Sequence, residues 1–282
     1  MKERTIKIPG FTYDTTPDDK PAVDVFGEEN TGKTRFACTA PCENGVVGYI
    51  AIDKNAKRTV QEYKDKYGLR VLINTQPMLT DKEALGLAMR DSHVDSDLAV
   101  IKKTYSDAVQ RVLEHGVRLA ESPDVESIVL DNASQLFDWI MFSHFGRRNQ
   151  IDSFLRGAPN QDMIDFIQVM RPKNLVMISR GSEIWKDTGE VDNKGRKKQA
   201  PSGNFKPDGF GKLGYLMTAV VQLTAKRKMP AEGPGSGLDS KYRVRVQTAK
   251  GNTLLEGQDL HDYGVSGENI TWSNLMTVLG IE

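Results

Sequence analysis

The chain of 282 residues is 38% hydrophobic and 27% charged, a composition ordinary for a soluble globular protein that buries a full core. Its 38 basic and 38 acidic residues cancel, so any contact with nucleic acid must come from a local basic patch. The chain has no run of eighteen apolar residues, no apolar stretch of the signal-peptide kind in MKERTIKIPG, and only two cysteines. These features exclude a membrane span and a disulfide framework, and they predict a cytoplasmic protein without membrane contact.

Strand-like and helix-like segments alternate along the chain, which is the pattern of a mainly parallel sheet covered by helices in one α/β domain. We expect an N-terminal arm over residues 1–20 and then, in order, a strand at 21–27, a helix at 33–40, a strand at 46–53, a helix at 54–68 and a strand at 69–75. Residues 77–104 are polar and helix-prone, and we interpret them as a helical insertion.

The second half of the chain continues the alternation. Val109, Val112 and Val117 recur at helical spacing within residues 105–122, which predicts a helix with one buried stripe. The apolar strand that follows ends on Asp131. Beyond it we expect a strand at 174–180, a mobile basic loop at 187–212, a helix and strand at 211–228, a hairpin strand at 241–252, and a C-terminal segment, 256–282, with a short helix.

The stretch GEENTGKT, residues 27–34, fits the pattern G-x-x-x-x-G-K-[ST] and stands between a predicted strand and a predicted helix. Glycines permit a turn whose backbone N–H groups point at phosphates, the lysine reaches the β- and γ-phosphates, and the threonine hydroxyl ligates Mg²⁺. The nucleotide-binding residues that we expect are Gly27, Glu28, Glu29, Asn30, Thr31, Gly32, Lys33, Thr34 and Arg35.

Asp131 is the candidate second ligand of the metal. It ends an apolar strand, the position from which a carboxylate holds the cation directly or through water while Lys33 stabilises the transferred phosphate. The alternative is that Asp131 is an N-cap of the next helix, since aspartate is a favoured cap.

Several stretches resemble the RecA family of ATPases. The loop GEENTGKT is similar to the family's loop, with an acid at its third position, and SIVLDNASQLF resembles the strand that ends in the metal-binding aspartate. The segments NLVMISR, 211–228 and 241–252 resemble later core strands, so that the likeness covers about residues 21–255. The spacing is also similar to that of phage-encoded ATPases with a RecA core that promote single-strand annealing and recombination.

The resemblance implies a RecA-like fold with a twisted, mainly parallel sheet and a C-terminal antiparallel hairpin. It also implies Mg²⁺ and ATP as ligands, ATP hydrolysis, a homo-oligomeric ring or filament, phage recombination proteins as partners, and the host cytoplasm as location. Where the family has a water-activating glutamate this chain has Asn55, so Asp53 or Glu29 must serve, or hydrolysis is slow or stimulated by DNA. Lys226, Arg227 and Lys250 are candidates for a cation supplied to a neighbouring subunit, the alternative being solvated surface cations.

Residues 194–212 hold six basic residues and one acidic residue, with two phenylalanines between them. Cations that follow phosphates and rings that stack on bases suit single-stranded DNA. The expected contacts are Arg196, Lys197, Lys198, Phe205, Lys206 and Phe210, and the alternative is a solvated loop whose rings attach it to the core. Two further functions stay open: a nucleotide-gated switch that acts on a protein partner, and a small-molecule kinase, although no arginine-rich lid is visible.

Overall fold

The computed structural model describes residues 20–52, 54–74, 77–147, 151–191, 197–227, 240–250, 252–265 and 270–281. The strands are β1 (Ala22–Gly27), β2 (Val46–Ala51), β3 (Val71–Ile73), β4 (Val125–Asp131), β5 (Asn174–Val191), β6 (Lys197–Pro207), β7 (Ala219–Arg227) and β8 (Ser240–Ala249). The helices are α1 (Lys33–Ala37), α2 (Lys54–Tyr67), α3 (Asp81–Ala88), α4 (Asp95–Glu121), α5 (Ala133–Phe145), α6 (Gly157–Met170), α7 (Leu213–Leu216) and α8 (Trp272–Leu279). Nearly all of the predicted N-terminal arm lies outside the described residues.

The strands form one sheet in the order β3-β2-β4-β5-β1-β7-β8, and β6 pairs with the outer half of β5. Every pair from β3 to β7 is parallel, whereas β8 is antiparallel to β7 and β6 is antiparallel to β5. The protein is therefore an α/β protein with a mostly parallel mixed sheet and a C-terminal antiparallel hairpin, as the sequence predicts. Among the described helices, none has the length and apolarity that a membrane span requires.

Burial on both faces explains why the central strands read as apolar runs. All six residues of β1 are buried, and they alternate between two core clusters. Val23 and Val25 face the cluster that includes α1 and α8, while Ala22 and Phe26 face the cluster that includes α4, α5 and α6. A parallel strand covered on both faces favours apolar side chains along its length, and the buried Asp24 is the exception in β1.

Two segments differ from the prediction. The helix expected at residues 105–122 begins at Asp95, so the predicted insertion, 77–104, consists of α3 and the first turns of α4. The predicted loop at 187–212 is instead largely a β5–β6 hairpin, whose tip, 192–196, lies outside the described residues. Gly189 and Gly203, which read as loop signals, have φ of 80° and 72° and lie where the pairing register shifts. Glycine at such positions permits a bulge within a strand pair.

Candidate functional site

The glycine loop leaves the carboxyl end of β1 and enters α1 after five residues. Asn30 and Gly32 have φ of 60° and 88°, and the Thr31 hydroxyl donates a 2.9 Å hydrogen bond to the Glu28 carbonyl oxygen. Gly27 is required by the neighbouring strand, because a Cβ there would lie 2.1 Å from a backbone oxygen of β7. The loop is thus a compact turn held against the sheet, with Glu28, Glu29 and Asn30 exposed on its outer side.

Lys33 folds back over this loop. Its ammonium donates to the carbonyl oxygens of Gly27 at 2.9 Å and Glu28 at 2.5 Å. Burial lowers the pKa of the Lys33 amine, and the carboxylates of Asp131, Glu29 and Glu28 oppose that shift. An ammonium that is bonded to two neutral carbonyl groups would bind an anion in preference to them, since a charged acceptor gives the stronger hydrogen bond.

Asp131 lies across the sheet edge from the loop. The register of β4 pairs Asp131 with Ala51 of β2 and Ile178 of β5, and its carboxylate is almost fully buried. Its Oδ2 atom is 3.4 Å from the Thr34 hydroxyl. The N-cap of α5 is Asn132, whose side chain accepts from the Gln135 N–H, so the alternative role of Asp131 as a cap is wrong.

The oxygen atoms of Thr34 and Asp131 suit a small hard cation. Within the described residues no three His, Cys, Asp or Glu side chains form a metal cluster. Mg²⁺ needs fewer protein ligands than such a cluster supplies, since it is commonly held by one or two side chains together with phosphate oxygens and water. The donor set here fits Mg²⁺ that arrives with a nucleotide, with Thr34 and Asp131 as its protein ligands.

The other residues expected near the nucleotide are only partly described. Arg35 lies on α1 and is half-buried, whereas Asp53 lies outside the described residues. Asn55 is on the first turn of α2. Ser179 of β5 donates a 2.7 Å hydrogen bond to the buried Asp24 of β1.

The β5–β6 hairpin presents a different aromatic residue from those predicted. Phe210 is only 2% exposed and packs against Phe137 with ring centroids 5.4 Å apart, so the expectation that it stacks on bases is wrong for this conformation. Phe205 is half-buried against the same core cluster. Trp185 is 56% exposed, beside the exposed Lys186. The sequence feature that could have identified Trp185 is the run EIWKD, in which tryptophan is adjacent to lysine.

The hairpin's positive charge is smaller than the residue count suggests. Lys197 pairs with Asp187 at 3.0 Å and Lys198 pairs with Glu190 at 3.1 Å, both across the hairpin. Lys206 is exposed near the base, and Arg196 lies outside the described residues. Two of the predicted DNA contacts therefore have carboxylate neighbours, which weaken their attraction for phosphate.

A polar cluster that sequence reasoning missed joins the hairpin base to α5. The Arg180 guanidinium contacts Asp138 at 2.6 Å and Asp208 at 3.1 Å. The buried Ser134 hydroxyl accepts from the Arg180 N–H at 3.0 Å and donates to the Asp208 carbonyl oxygen at 2.8 Å. Burial raises the pKa of Asp138, which Arg180 opposes. Because α5 starts two residues after Asp131, the cluster connects the carboxyl end of β4 with the β5–β6 hairpin.

The three candidate trans cations do not form one patch. Lys226 and Arg227 end β7, beyond the point where Leu223 pairs with Gly27. Lys250 lies at the opposite end, where its N–H bonds Thr218 and its ammonium donates to a backbone oxygen of α7 at 2.5 Å. Eight residues of strand separate these ends by about 26 Å. The three candidates therefore lie at opposite ends of β7, and their role toward a neighbouring subunit stays a prediction.

Comparison with known proteins adds no relative: a scan against protein-family models finds no match, and a search of curated proteins finds none either.

Proposed function

We propose that the protein binds Mg²⁺·ATP at residues Gly27 to Thr34 and Asp131 in the manner of RecA-like P-loop ATPases. One observation carries the proposal: the ammonium of Lys33, the hydroxyl of Thr34 and the carboxylate of Asp131 meet beside a tight glycine turn at the carboxyl edge of a parallel sheet. That edge is where α/β proteins bind ligands, and the three groups are those that a triphosphate with its cation requires.

On binding, Lys33 exchanges the carbonyl oxygens of Gly27 and Glu28 for phosphate oxygens, and the N–H groups of the turn donate to the same anion. Mg²⁺ would supply positive charge that offsets the negative charge of the phosphates. Thr34 and Asp131 would hold that cation. We propose that hydrolysis in the free protein is slow, because an amide, Asn55, replaces the family's water-activating carboxylate.

We further propose that the hairpin binds single-stranded DNA and that the protein acts in phage-type annealing or recombination as a ring or filament. The exposed Trp185, on a hairpin that also carries the exposed Lys186 and Lys206, supports the DNA contact, since exposed aromatic rings stack on bases and cations attract phosphates. The oligomer and its recombination partners rest on the RecA resemblance.

A second candidate function is a nucleotide-gated switch whose hairpin contacts a protein. Ile184, Trp185 and Val191 leave apolar surface exposed on the hairpin, while Lys197 and Lys198 are paired with acids. Exposed apolar side chains within a polar rim are typical of protein-binding surfaces.

The nucleotide proposal is tested with Lys33→Ala and a fluorescent ATP analogue in Mg²⁺. Loss of a charge-assisted contact predicts a fall in affinity of about 10- to 100-fold. The control is Lys103→Ala, which removes an exposed lysine from α4. Equal affinity of Lys33→Ala and the control would refute the site.

Salt titration of oligonucleotide binding separates the two functions. A DNA-binding hairpin predicts that the logarithm of the affinity falls with the logarithm of salt concentration by about 0.7 per phosphate contact. The slope should become shallower when Arg196, Lys197 and Lys198 are replaced by alanine. Absence of ATP-linked oligonucleotide binding would favour the protein switch.

A further inference from the structure

Tyr49 is a core residue whose hydroxyl contacts Asp131 at the candidate metal site. It lies in β2, where it pairs with Val129 of β4, and it is 1% exposed. Its hydroxyl donates a 2.5 Å hydrogen bond to Oδ2 of Asp131. Its ring packs in the cluster that contains Phe36 and Cys38 of the loop-side helix.

The hydroxyl has a specific task in this location. A buried hydroxyl is costly unless it is hydrogen-bonded, and a phenylalanine ring would fill nearly the same volume without that cost. Burial raises the pKa of Tyr49 well above its ordinary value, and the charge of Asp131 adds to the shift. The phenol serves as a hydrogen-bond donor to the carboxylate.

The hydroxyls of Tyr49 and Thr34 both contact Oδ2 of Asp131, at 2.5 Å and 3.4 Å. The terminal torsion of an aspartate is broad, so a carboxylate without such partners samples many orientations. A tyrosine fixes this torsion without adding a charge. A neutral phenol brings no positive charge to the carboxylate, whereas an arginine or lysine in the same place would.

We propose that Tyr49 is a positioning residue for the divalent cation, because its hydroxyl holds the Asp131 carboxylate in the orientation in which it and Thr34 receive Mg²⁺. This inference rests on the proposed nucleotide site. Partners that orient metal-binding side chains typically change metal affinity by about 10- to 100-fold when they are removed.

The test is Tyr49→Phe, which removes one oxygen atom and retains the ring. Binding of a fluorescent, non-hydrolysable ATP analogue is measured as Mg²⁺ is titrated, and again in EDTA. We expect the half-saturating Mg²⁺ concentration to rise by about 10- to 100-fold. Affinity in EDTA should be unchanged, since it depends on Lys33 and the loop. Tyr105→Phe is the matched control: Tyr105 is also buried and its hydroxyl also hydrogen-bonded, to Arg147, but it lies in the other core cluster.

A double-variant cycle with Asp131→Asn supplies a second measurement. If Tyr49 acts through the carboxylate, Tyr49→Phe adds no further loss of Mg²⁺ dependence once Asp131 is replaced, whereas independent effects would multiply. Wild-type Mg²⁺ half-saturation in Tyr49→Phe would overturn the inference and leave the nucleotide site intact. Failure of the wild type to bind the analogue with or without Mg²⁺ would instead refute the proposed function. Thermal melting of each variant shows whether it is folded. If Tyr49→Phe alone is not folded, the effect of the Tyr49 hydroxyl on Mg²⁺ dependence is measured by comparing Asp131→Asn with Asp131→Asn/Tyr49→Phe.

Discussion

Asp24 predicts an unusual pH dependence of stability. It lies in the middle of β1, fully buried between β5 and β7. Ser179 donates to one carboxylate oxygen at 2.7 Å, and among the described residues the other oxygen has no hydrogen-bond partner. Burial raises the pKa of Asp24 from 3.8 to about 7, and the Ser179 hydrogen bond opposes the shift. The folded protein therefore favours the protonated form.

The direction and the size of the effect of pH on folding stability follow from proton linkage. An acid whose pKa is higher in the folded state binds more protons there, so its contribution to stability falls as pH rises from about 4 to about 7 and then levels off. A shift of about three pKa units corresponds to a cost of about 4 kcal/mol above pH 7. Asp24→Asn keeps the shape and the acceptor for Ser179 but carries no charge. Its stability advantage over the wild type should grow from about 2 kcal/mol near pH 5 to about 4 kcal/mol near pH 8.

Urea denaturation at the two pH values measures this gap from the transition midpoints and slopes. Asp65→Asn, a substitution on the exposed side of α2, is the control and should leave the pH dependence of the wild type unchanged. A gap between Asp24→Asn and the wild type that stays constant from about pH 5 to about pH 8 would refute the reasoning, because a neutral packing effect has no pH dependence.

Two further substitutions test the loop and the hairpin. Gly27→Ala places a Cβ 2.1 Å from the backbone oxygen of Leu223 at φ of 151°. We therefore expect thermal unfolding to show a loss of several kcal/mol in folding stability, together with weaker nucleotide binding. The control Gly86→Ala lies in α3 with open space around it and should be neutral or slightly stabilising. A Gly27→Ala protein as stable as Gly86→Ala would contradict the close approach of β7. Trp185→Ala should weaken oligonucleotide binding by about 1–3 kcal/mol and remove the quenching of intrinsic fluorescence, since the other two tryptophans are buried. Quenching that persists without Trp185 would place the DNA elsewhere.

The sequence was sufficient for features that depend on local pattern. A buried strand, a glycine turn and a lysine at fixed spacing predicted the loop between β1 and α1, and an apolar run ending in an acid predicted the position of Asp131. Both depend on residues adjacent along the chain. The parallel order of the sheet then brings the carboxyl ends of β1 and β4 to the same edge, although β5 stands between them.

Features that depend on pairing register were not predictable in the same way. Lys197 and Lys198 read as unpaired positive charge until β6 is aligned with β5, which brings Asp187 and Glu190 within ion-pair distance of them. Phe210 reads as a mobile ring until α5 supplies Phe137 as its neighbour. In both cases the partner lies ten or more residues away in sequence or on another element, and composition alone carries no information about it.

The polar cluster around Arg180 gives these non-local contacts a common consequence. Ser134 bonds both Arg180 and Asp208, and it belongs to the first turn of the helix that starts just beyond Asp131. In the proposed site, cation binding at Asp131 would act next to a turn that is hydrogen-bonded to Arg180 of β5 and to Asp208, the residue after β6. The first turn of α5 is thus the structural connection between the carboxyl end of β4 and the base of the hairpin.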